Sequence, residues 1–305
     1  MNKTLLCIMI TTATLTQTHA SEDGNYAFMD TLTEYRFDLF KFPTEHVIEE
    51  VFMKTWIKSA SIVFILIFTT SNAFAKDVYL YVTRHGKTMF NTVHRAQGWS
   101  DTPLTAAGVE VAEQLGRGLK DIDFVGSYSS DLGRARQTAR IVLEAKGDTK
   151  NQIQELTGLR ETCFGIYEGD LDSNMWGKAA RHINYASDTD LMKDFSAGNI
   201  TIDKMMNALA AVDTSGDSED YQTVKTRMQD SLKTIAQTTQ ENGGGNVLIV
   251  SHGMAILAMI NEMTDTPHTQ QLPNASVTKI RYTHDGKFII ESIGDMSYVE
   301  QGKVQ

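Results

Sequence analysis

Cysteine is almost absent from this chain. Two occur in 305 residues, Cys7 and Cys163, so a disulfide framework and a zinc site built on four cysteines are excluded. Proline is equally scarce, with four residues and no proline-rich run, which leaves little room for long linkers. Positive charge is in deficit: 28 Lys and Arg stand against 38 Asp and Glu, a net charge of −10. That balance argues against nucleic acid as a partner, because binding it needs a basic face. The rest of the composition, 41% hydrophobic and 22% charged, is ordinary for a globular protein. It speaks against wholesale disorder, collagen-like repeats and a polytopic membrane protein. Neither internal repeats nor low-complexity segments interrupt it.

Two segments near the start have the form of export signals. Residues 1–20 carry Lys3, an apolar run over 5–10 and the end Thr18-His19-Ala20. Residues 53–75 match better, with Lys54 and Lys58, an apolar run over 62–68 and the end Ala73-Phe74-Ala75. A basic start, a short apolar centre and an Ala-x-Ala end are the parts of a secretory signal. The run 62–68 is shorter than the about 20 residues that a bilayer span takes. A cleaved signal is therefore expected rather than an anchor, and contact with a membrane only through an uncleaved signal. Two signals in tandem are redundant. Residues 1–52 are read as a leader or an over-extended gene model, 53–75 as the signal peptide, and 76–305 as one domain of a secreted or periplasmic protein. Residues 1–75 carry five bases and eight acids, which leaves a net −7 to residues 76–305. That stretch is long enough for a real core, and its one cysteine, Cys163, permits no internal disulfide.

Hydrophobic periodicity predicts an alternation of strands and helices. Residues 78–83 read as a buried strand ending at Arg84-His85-Gly86, 105–119 as a helix, and 124–128 as a second strand. A helix is expected over 133–145, and a mixture of short helices and loops over 171–213. Residues 219–240 read as an amphipathic helix stopped by Gly243-Gly244-Gly245. The clearest buried strand is 246–250, followed by an apolar helix over 255–263. Residues 276–283 and 287–293 flank His284-Asp285-Gly286, a hairpin signal. Strands alternating with helices imply an α/β sheet covered on both faces.

The chemistry is expected where the strands end. Arg84-His85-Gly86 follows the first strand and Ser251-His252-Gly253 the late one. Ligands of open α/β sheets bind outside the carboxyl ends of the strands, so the two histidines can converge on one pocket. Glycine after each lets the backbone turn sharply and approach a ligand. Arg84 precedes the first histidine, and Arg134 falls at a strand-to-helix junction in Ser129-Ser130-Asp131-Leu132-Gly133-Arg134-Ala135-Arg136-Gln137-Thr138-Ala139. A helix N-terminus with guanidinium groups suits a dianionic phosphate. In the first helical turn Arg134 is badly placed for the helix dipole, which points to an anion nearby. Arg136 and Arg140 are expected on a solvated face.

These motifs, in this order, resemble the histidine phosphatase superfamily, also called phosphoglycerate mutase-like. Arg84-His85-Gly86-Lys87-Thr88-Met89-Phe90-Asn91 is similar to the family's nucleophile motif, and Gln97-Gly98-Trp99-Ser100-Asp101-Thr102-Pro103-Leu104-Thr105, with Gly108, to the segment after it. The stretch 130–139 resembles the second arginine motif. Leu159-Arg160-Glu161, with Gly165, Glu168 and Gly169, resembles the stretch bearing the acid. Ser251-His252-Gly253 is similar to the second histidine motif, and Asn274-Ala275-Ser276 to the closing turn. The resemblance covers about 78–294. It implies a three-layer α/β/α fold with a mostly parallel central sheet and a lid-like insertion at about 171–220. It implies that His85 is a nucleophile forming a phosphohistidine, and that Arg84, Arg134 and His252 hold the phosphoryl oxygens. Glu161 would donate a proton to the leaving oxygen and then activate water, with Glu168 as its rival. Asn91, Gln97 and Gly98 would belong to the substrate-binding surface. A nucleophilic imidazole must be neutral, and neighbouring cations favour that state. Arginine and histidine supply the positive charge, so no metal and no cofactor are expected.

Two departures stand out. Lys87 occupies a place where family members often carry an acid, which bears on the pocket rim. Glycine, not aspartate, follows His252, which marks the branch whose acid lies mid-chain. Cys163 is expected to pack as a small hydrophobe. The activity expected is that of an exported phosphomonoester hydrolase of the histidine acid phosphatase type acting on a small-molecule phosphomonoester. A phosphoglycerate mutase would need extra positive charge near the pocket mouth. Residues 185–220 instead offer Lys193 and Lys204 against eight acids. A catalytically dead phospholigand-binding protein would have been favoured by loss of His85 or Glu161, and both are present.

Overall fold

The computed structural model describes residues 76–265 and 268–303. Both export-like segments and Cys7 lie outside the described residues, and so do the boundaries drawn at 52 and 75. The strands are β1 (Val78–Arg84), β2 (Phe124–Ser129), β3 (Ile153–Glu155), β4 (Gly245–Ser251), β5 (Val277–Tyr282) and β6 (Phe288–Asp295). They form one sheet in the order β3-β2-β4-β1-β5-β6. The pairs β3–β2, β2–β4 and β4–β1 are parallel, and β1–β5 and β5–β6 are antiparallel. The sheet is therefore mostly parallel, with an antiparallel hairpin on one edge.

The helices are α1 (Met89–Thr92), α2 (Ala106–Gly118), α3 (Gly133–Lys146), α4 (Asp172–His182), α5 (Asp188–Ser196), α6 (Ile202–Val212), α7 (Tyr221–Glu241), α8 (Gly253–Ile260) and α9 (Ser297–Gly302). Side-chain direction alternates along the central strands, and this sorts the core into two layers. Leu80, Val82, Val247 and Ile249 face one way, against Val224, Met228 and Leu232 of α7 and Ile256 of α8. Tyr81, Leu248 and Val250 face the other, against Ala112 and Leu115 of α2 and Ala139 and Val142 of α3. Both faces are covered, which is why 246–250 reads as a continuous apolar run. Helices on both sides of the sheet make the three-layer architecture.

Local chemistry sets the helix ends. The Thr105 hydroxyl accepts the Gly108 amide at 3.1 Å and opens α2. Asp220 accepts the Thr223 amide at 2.8 Å and opens α7. Residues 171–213 resolve into three helices, α4 to α6. Leu191, Phe195, Ile202 and Met205 of α5 and α6 belong to the same core as the sheet. The apolar helix expected over 255–263 starts two residues earlier, at Gly253, and stops at Ile260. Among the described residues no helix is long and apolar enough to cross a membrane.

Candidate active site

Sheet register brings the two histidines together. Parallel pairing of β1 with β4 sets Arg84 opposite Ser251. His85 and His252 therefore leave one edge of the sheet side by side, and the His85 amide donates to the Ser251 carbonyl at 3.0 Å. Their ring centroids lie 5.2 Å apart, and both side chains are buried. The following glycines serve a purpose other than the sharp turn expected of them, since neither has a positive φ. What they provide is space. A Cβ on Gly86 would stand 2.5 Å from the Gly108 carbonyl oxygen, and one on Gly253 would stand 3.3 Å from Arg84 Nε.

The hydrogen bonds of His85 select its tautomer. Its Nδ1 lies 2.8 Å from the Gly86 carbonyl oxygen. A carbonyl only accepts, so Nδ1 carries the proton and Nε2 carries the lone pair. Burial first, and then the Arg134 and Arg84 guanidiniums, hold this imidazole well below its ordinary pKa. His252 is held low by burial as well, with Arg134 the next cause. Both rings are thus neutral near pH 7. Among the described residues neither ring nitrogen of His252 has a hydrogen-bond partner, and nor does the buried Nε of Arg84. Leaving a buried donor unpaired costs about 1–3 kcal/mol. Unpaired donors on Arg84 and His252, next to a neutral imidazole, suit the oxygens of an anion. Arg84 is oriented by a bond from Nη1 to the Leu272 carbonyl at 2.5 Å.

Arg134 is the largest fully buried side chain among the described residues, and all five of its donors are engaged. Nε donates to His85 Nε2 at 3.2 Å. The two terminal nitrogens donate to the carbonyls of Gln97, Gly98 and Ser100 and to Asp101 Oδ1. The anion that its place in the first helical turn called for is, in part, Asp101, at 3.1 Å. Arg134 thus ties the 97–101 loop to the nucleophile candidate, and only its Nε faces His85 Nε2.

Glu161 sits across the start of α8. Its Oε1 accepts the amides of Thr162 at 2.9 Å and Ala255 at 2.8 Å, and its Oε2 accepts the amide of Met254 at 3.1 Å. His252, at the N-cap, offers no side-chain cap of its own. The carboxylate therefore supplies from another segment the acceptor that a helix start requires. Glu168, the rival acid, serves elsewhere. It accepts the amides of Gly98, Trp99, Ser100 and Phe164, and so clamps the loop that Arg134 holds from the other side.

A cavity of about 290 Å³ opens here; Arg84, His85, Asn91, Gln97 and Glu161 line it, whereas His252 and Arg134 are not among its lining residues. Asn91 and Gln97 have duties besides. The Asn91 carbonyl group accepts the Thr88 amide in a capping box, and Gln97 bonds Thr88 and Thr102. Gly98 meets Arg134 through its carbonyl rather than lining the cavity. Lys87 is exposed and outside the lining, so that departure does not reach the pocket. Cys163 is buried, and burial pushes its thiol up, in keeping with packing rather than reactivity.

Some contributors carried no sequence signal. Arg227, one polar residue among many on α7, donates to the carbonyls of Gly158, Arg160 and Glu161 and pairs with Glu219 at 2.7 Å. Trp99 Nε1 also donates to the Glu161 carbonyl, at 3.0 Å. The acid-bearing segment is thus held from two elements. The eight acids of 185–220 also need correcting as a measure of pocket charge. Glu219 is paired, Asp220 caps α7, and Asp213 is bound by five backbone amides of Ile166 and 215–218. Asp188 is the one that lines the cavity.

Two neutral histidines at the carboxyl edge of a mostly parallel sheet, with Arg84, Arg134 and Glu161 around them, form a site whose chemistry suits a phosphoryl group. The chain belongs to the histidine phosphatase superfamily, branch 1, whose sequence model matches residues 80–295. Among solved structures it is similar to a phosphoglycerate mutase from Bacillus anthracis, at 44% identity and a TM-score of 0.71, over 76% of this chain and 100% of that one. It is also similar to YhfR of Bacillus stearothermophilus, at 27% identity and a TM-score of 0.55, over 73% and 99%. A curated relative, the probable phosphoglycerate mutase GpmB of Citrobacter koseri, is 28% identical over 72% of this chain and 94% of its own. Membership supports a phosphatase-type or mutase-type enzyme acting on small phosphorylated molecules.

Proposed function

We propose that the protein is a phosphomonoester hydrolase of the histidine acid phosphatase type that works through a phosphohistidine on His85. The observation that carries this reading is the state of the two rings. His85 presents an Nε2 lone pair, and the unpaired donors of His252 and Arg84 lie beside it. In the first step Nε2 attacks phosphorus while the bond to the ester oxygen breaks, and that oxygen takes a proton from Glu161. In the second step water attacks the phosphohistidine, Glu161 takes its proton, and His85 leaves. Arg84 and His252 bind the non-bridging oxygens and stabilise their charge as transfer proceeds. Arg134 donates its Nε to His85 Nε2, and would turn that donor to the phosphoryl oxygens once the lone pair has attacked phosphorus.

A phosphoglycerate mutase is the second reading, favoured by the names of the relatives. A mutase must hold a second anionic group near the mouth, and there Asp172 and Asp188 stand against Arg95. Like charges disfavour that. Turnover of a phosphomonoester panel decides between the two. Free phosphate should be released at similar rates with and without 2,3-bisphosphoglycerate. Interconversion of 2- and 3-phosphoglycerate that depends on the bisphosphate, with little free phosphate, would instead establish the mutase.

The enzyme is proposed to be exported, on the strength of Lys54, Lys58, the apolar run 62–68 and Ala73-Phe74-Ala75. Protein recovered from periplasm or medium should begin at Lys76. A start at Ser21 would assign export to the first signal and keep 21–75 in the mature chain.

A further inference from the structure

We infer that the leaving group of the natural substrate is apolar and uncharged, an alcohol or phenol rather than a hydroxy acid or a sugar. This rests on the hydrolase reading and concerns the part of the cavity that the reacting groups do not occupy. The cavity has two unlike ends. At one end stand His85, Arg84 and Glu161. The remaining wall is built by α4, α5, α6 and α8, and what they contribute is mostly apolar: Trp176, Met192, Phe195, Met205, Met254 and Leu257. Phe195 and Met205 are buried in the main core as well, so this wall is continuous with the packed interior. Unbranched, polarizable methionine side chains adapt to apolar guests of varied shape.

Charge on the same wall acts against anions. Among the described residues the one arginine or lysine lining the cavity apart from Arg84 is Arg95, and its Nη1 donates to the Gly169 carbonyl at 2.6 Å. Two carboxylates, Asp172 and Asp188, face the cavity. Asp172 is half-buried, and burial pushes its pKa up. A substrate carboxylate or second phosphate beyond the scissile group would meet two carboxylates against one cation. A polyhydroxylated leaving group would lose water against Trp176, Phe195 and the methionines, because the uncharged polar side chains of the cavity, Asn91, Gln97 and Gln271, lie off these four helices. An alkyl or aryl group gains by transfer to that wall, on the order of fourfold in affinity for each methylene taken out of water. The volume, about 290 Å³, is at the small end of ligand pockets, so the gain should level off after a short chain or one ring.

The test is a substrate series on the full chain: ethyl, butyl and hexyl phosphate, phenyl phosphate, 3-phosphoglycerate and glucose 6-phosphate. The value of kcat/KM should rise about fourfold per methylene from ethyl towards hexyl, and 3-phosphoglycerate and glucose 6-phosphate should fall below butyl phosphate. Choline phosphate against its neutral isostere, 3,3-dimethylbutyl phosphate, checks whether the carboxylates read a cation. A flat alkyl series, a lead for 3-phosphoglycerate or glucose 6-phosphate, or a choline preference beyond tenfold overturns the inference while leaving the hydrolase reading intact. No phosphate release from any ester removes both. The alkylphosphonates of the same chain lengths, measured as ligands by calorimetry, should follow the same order and give a readout independent of turnover. Met192→Lys should lower the hexyl-to-ethyl ratio, and Asp172→Asn should raise 3-phosphoglycerate relative to butyl phosphate by about threefold, the scale of a partly solvated charge contact. Unchanged ratios in both variants would count against the assigned wall.

Discussion

His85→Ala should abolish turnover, with a loss on the order of 10⁵-fold or more, as for removal of a covalent nucleophile. Brief incubation with ³²P-labelled substrate should label the wild type with an acid-labile, base-stable phosphoryl group and leave the variant unlabelled. Equal labelling of both would remove His85 from its role. The fold should survive, because His85 lies just beyond the end of β1 rather than within the sheet, although Arg134 Nε loses its acceptor. Stability against pH separates this outcome from simple unfolding. Burial, Arg134 and Arg84 hold the folded imidazole well below 6.5, so below pH 6.5 the unfolded chain binds a proton that the folded chain does not. Stability of the wild type therefore falls as pH drops through that window, by up to about 1.4 kcal/mol per pH unit for this one group. His85→Ala should lose that share of the slope while His252, depressed in the same way, keeps its own. A variant whose stability falls as steeply as the wild type between pH 6.5 and 5 would contradict a neutral, buried His85.

The site was legible in the sequence only in outline. A strand followed by Arg-His-Gly and another followed by Ser-His-Gly are visible because central parallel strands read as unbroken apolar runs and the motifs sit directly behind them. Adjacency of the two histidines then follows from register, Arg84 opposite Ser251, which two separate runs do not reveal. β3 escaped notice because it is three residues long with Gln154 and Glu155 exposed, too short for any period to register. α9 is six residues, and it docks with Gly302 and Val299 buried. The pocket wall was hidden for another reason. The helices of 171–213 run only 9 to 11 residues each, so each repeats its apolar period too few times to stand out from the loops between them. Counting acids there overstated the charge at the pocket, since Asp213, Glu219 and Asp220 are spent on turns, an ion pair and a cap. Arg134 shows the opposite case. Its awkward place at a helix start was readable, yet its saturation by Gln97, Gly98, Ser100, Asp101 and His85 needs the folded loop.

Glu161→Gln should slow hydrolysis by 10²–10⁴-fold, the usual worth of general acid–base help, and the loss should depend on the leaving group. An alkyl oxygen needs a proton as it departs, so alkyl phosphates should lose most in the first step. An activated aryl oxygen departs without one, so p-nitrophenyl phosphate should phosphorylate His85 at nearly the wild-type rate. The second step is common to both substrates, and there water must lose a proton to the same carboxylate. The variant should therefore release a burst of nitrophenol close to one equivalent, followed by slow turnover, with phosphohistidine accumulating. Structure supplies the competing explanation: Glu161 also accepts the amides at the start of α8, so its replacement could act by loosening that helix. Glutamine is chosen because its carbonyl oxygen can still take the Ala255 amide, leaving only the Met254 contact to be lost. A collapse of α8 would displace His252, the residue before it, and would slow phosphorylation by aryl and alkyl esters alike. The burst distinguishes the two, because it requires an intact phosphoryl site. Glu168→Gln is the companion variant. Its carboxylate clamps the 98–100 amides outside the cavity, so any loss there should be the same for alkyl and aryl esters. Leaving-group dependence in Glu168→Gln and its absence in Glu161→Gln would move the proton donor from one carboxylate to the other.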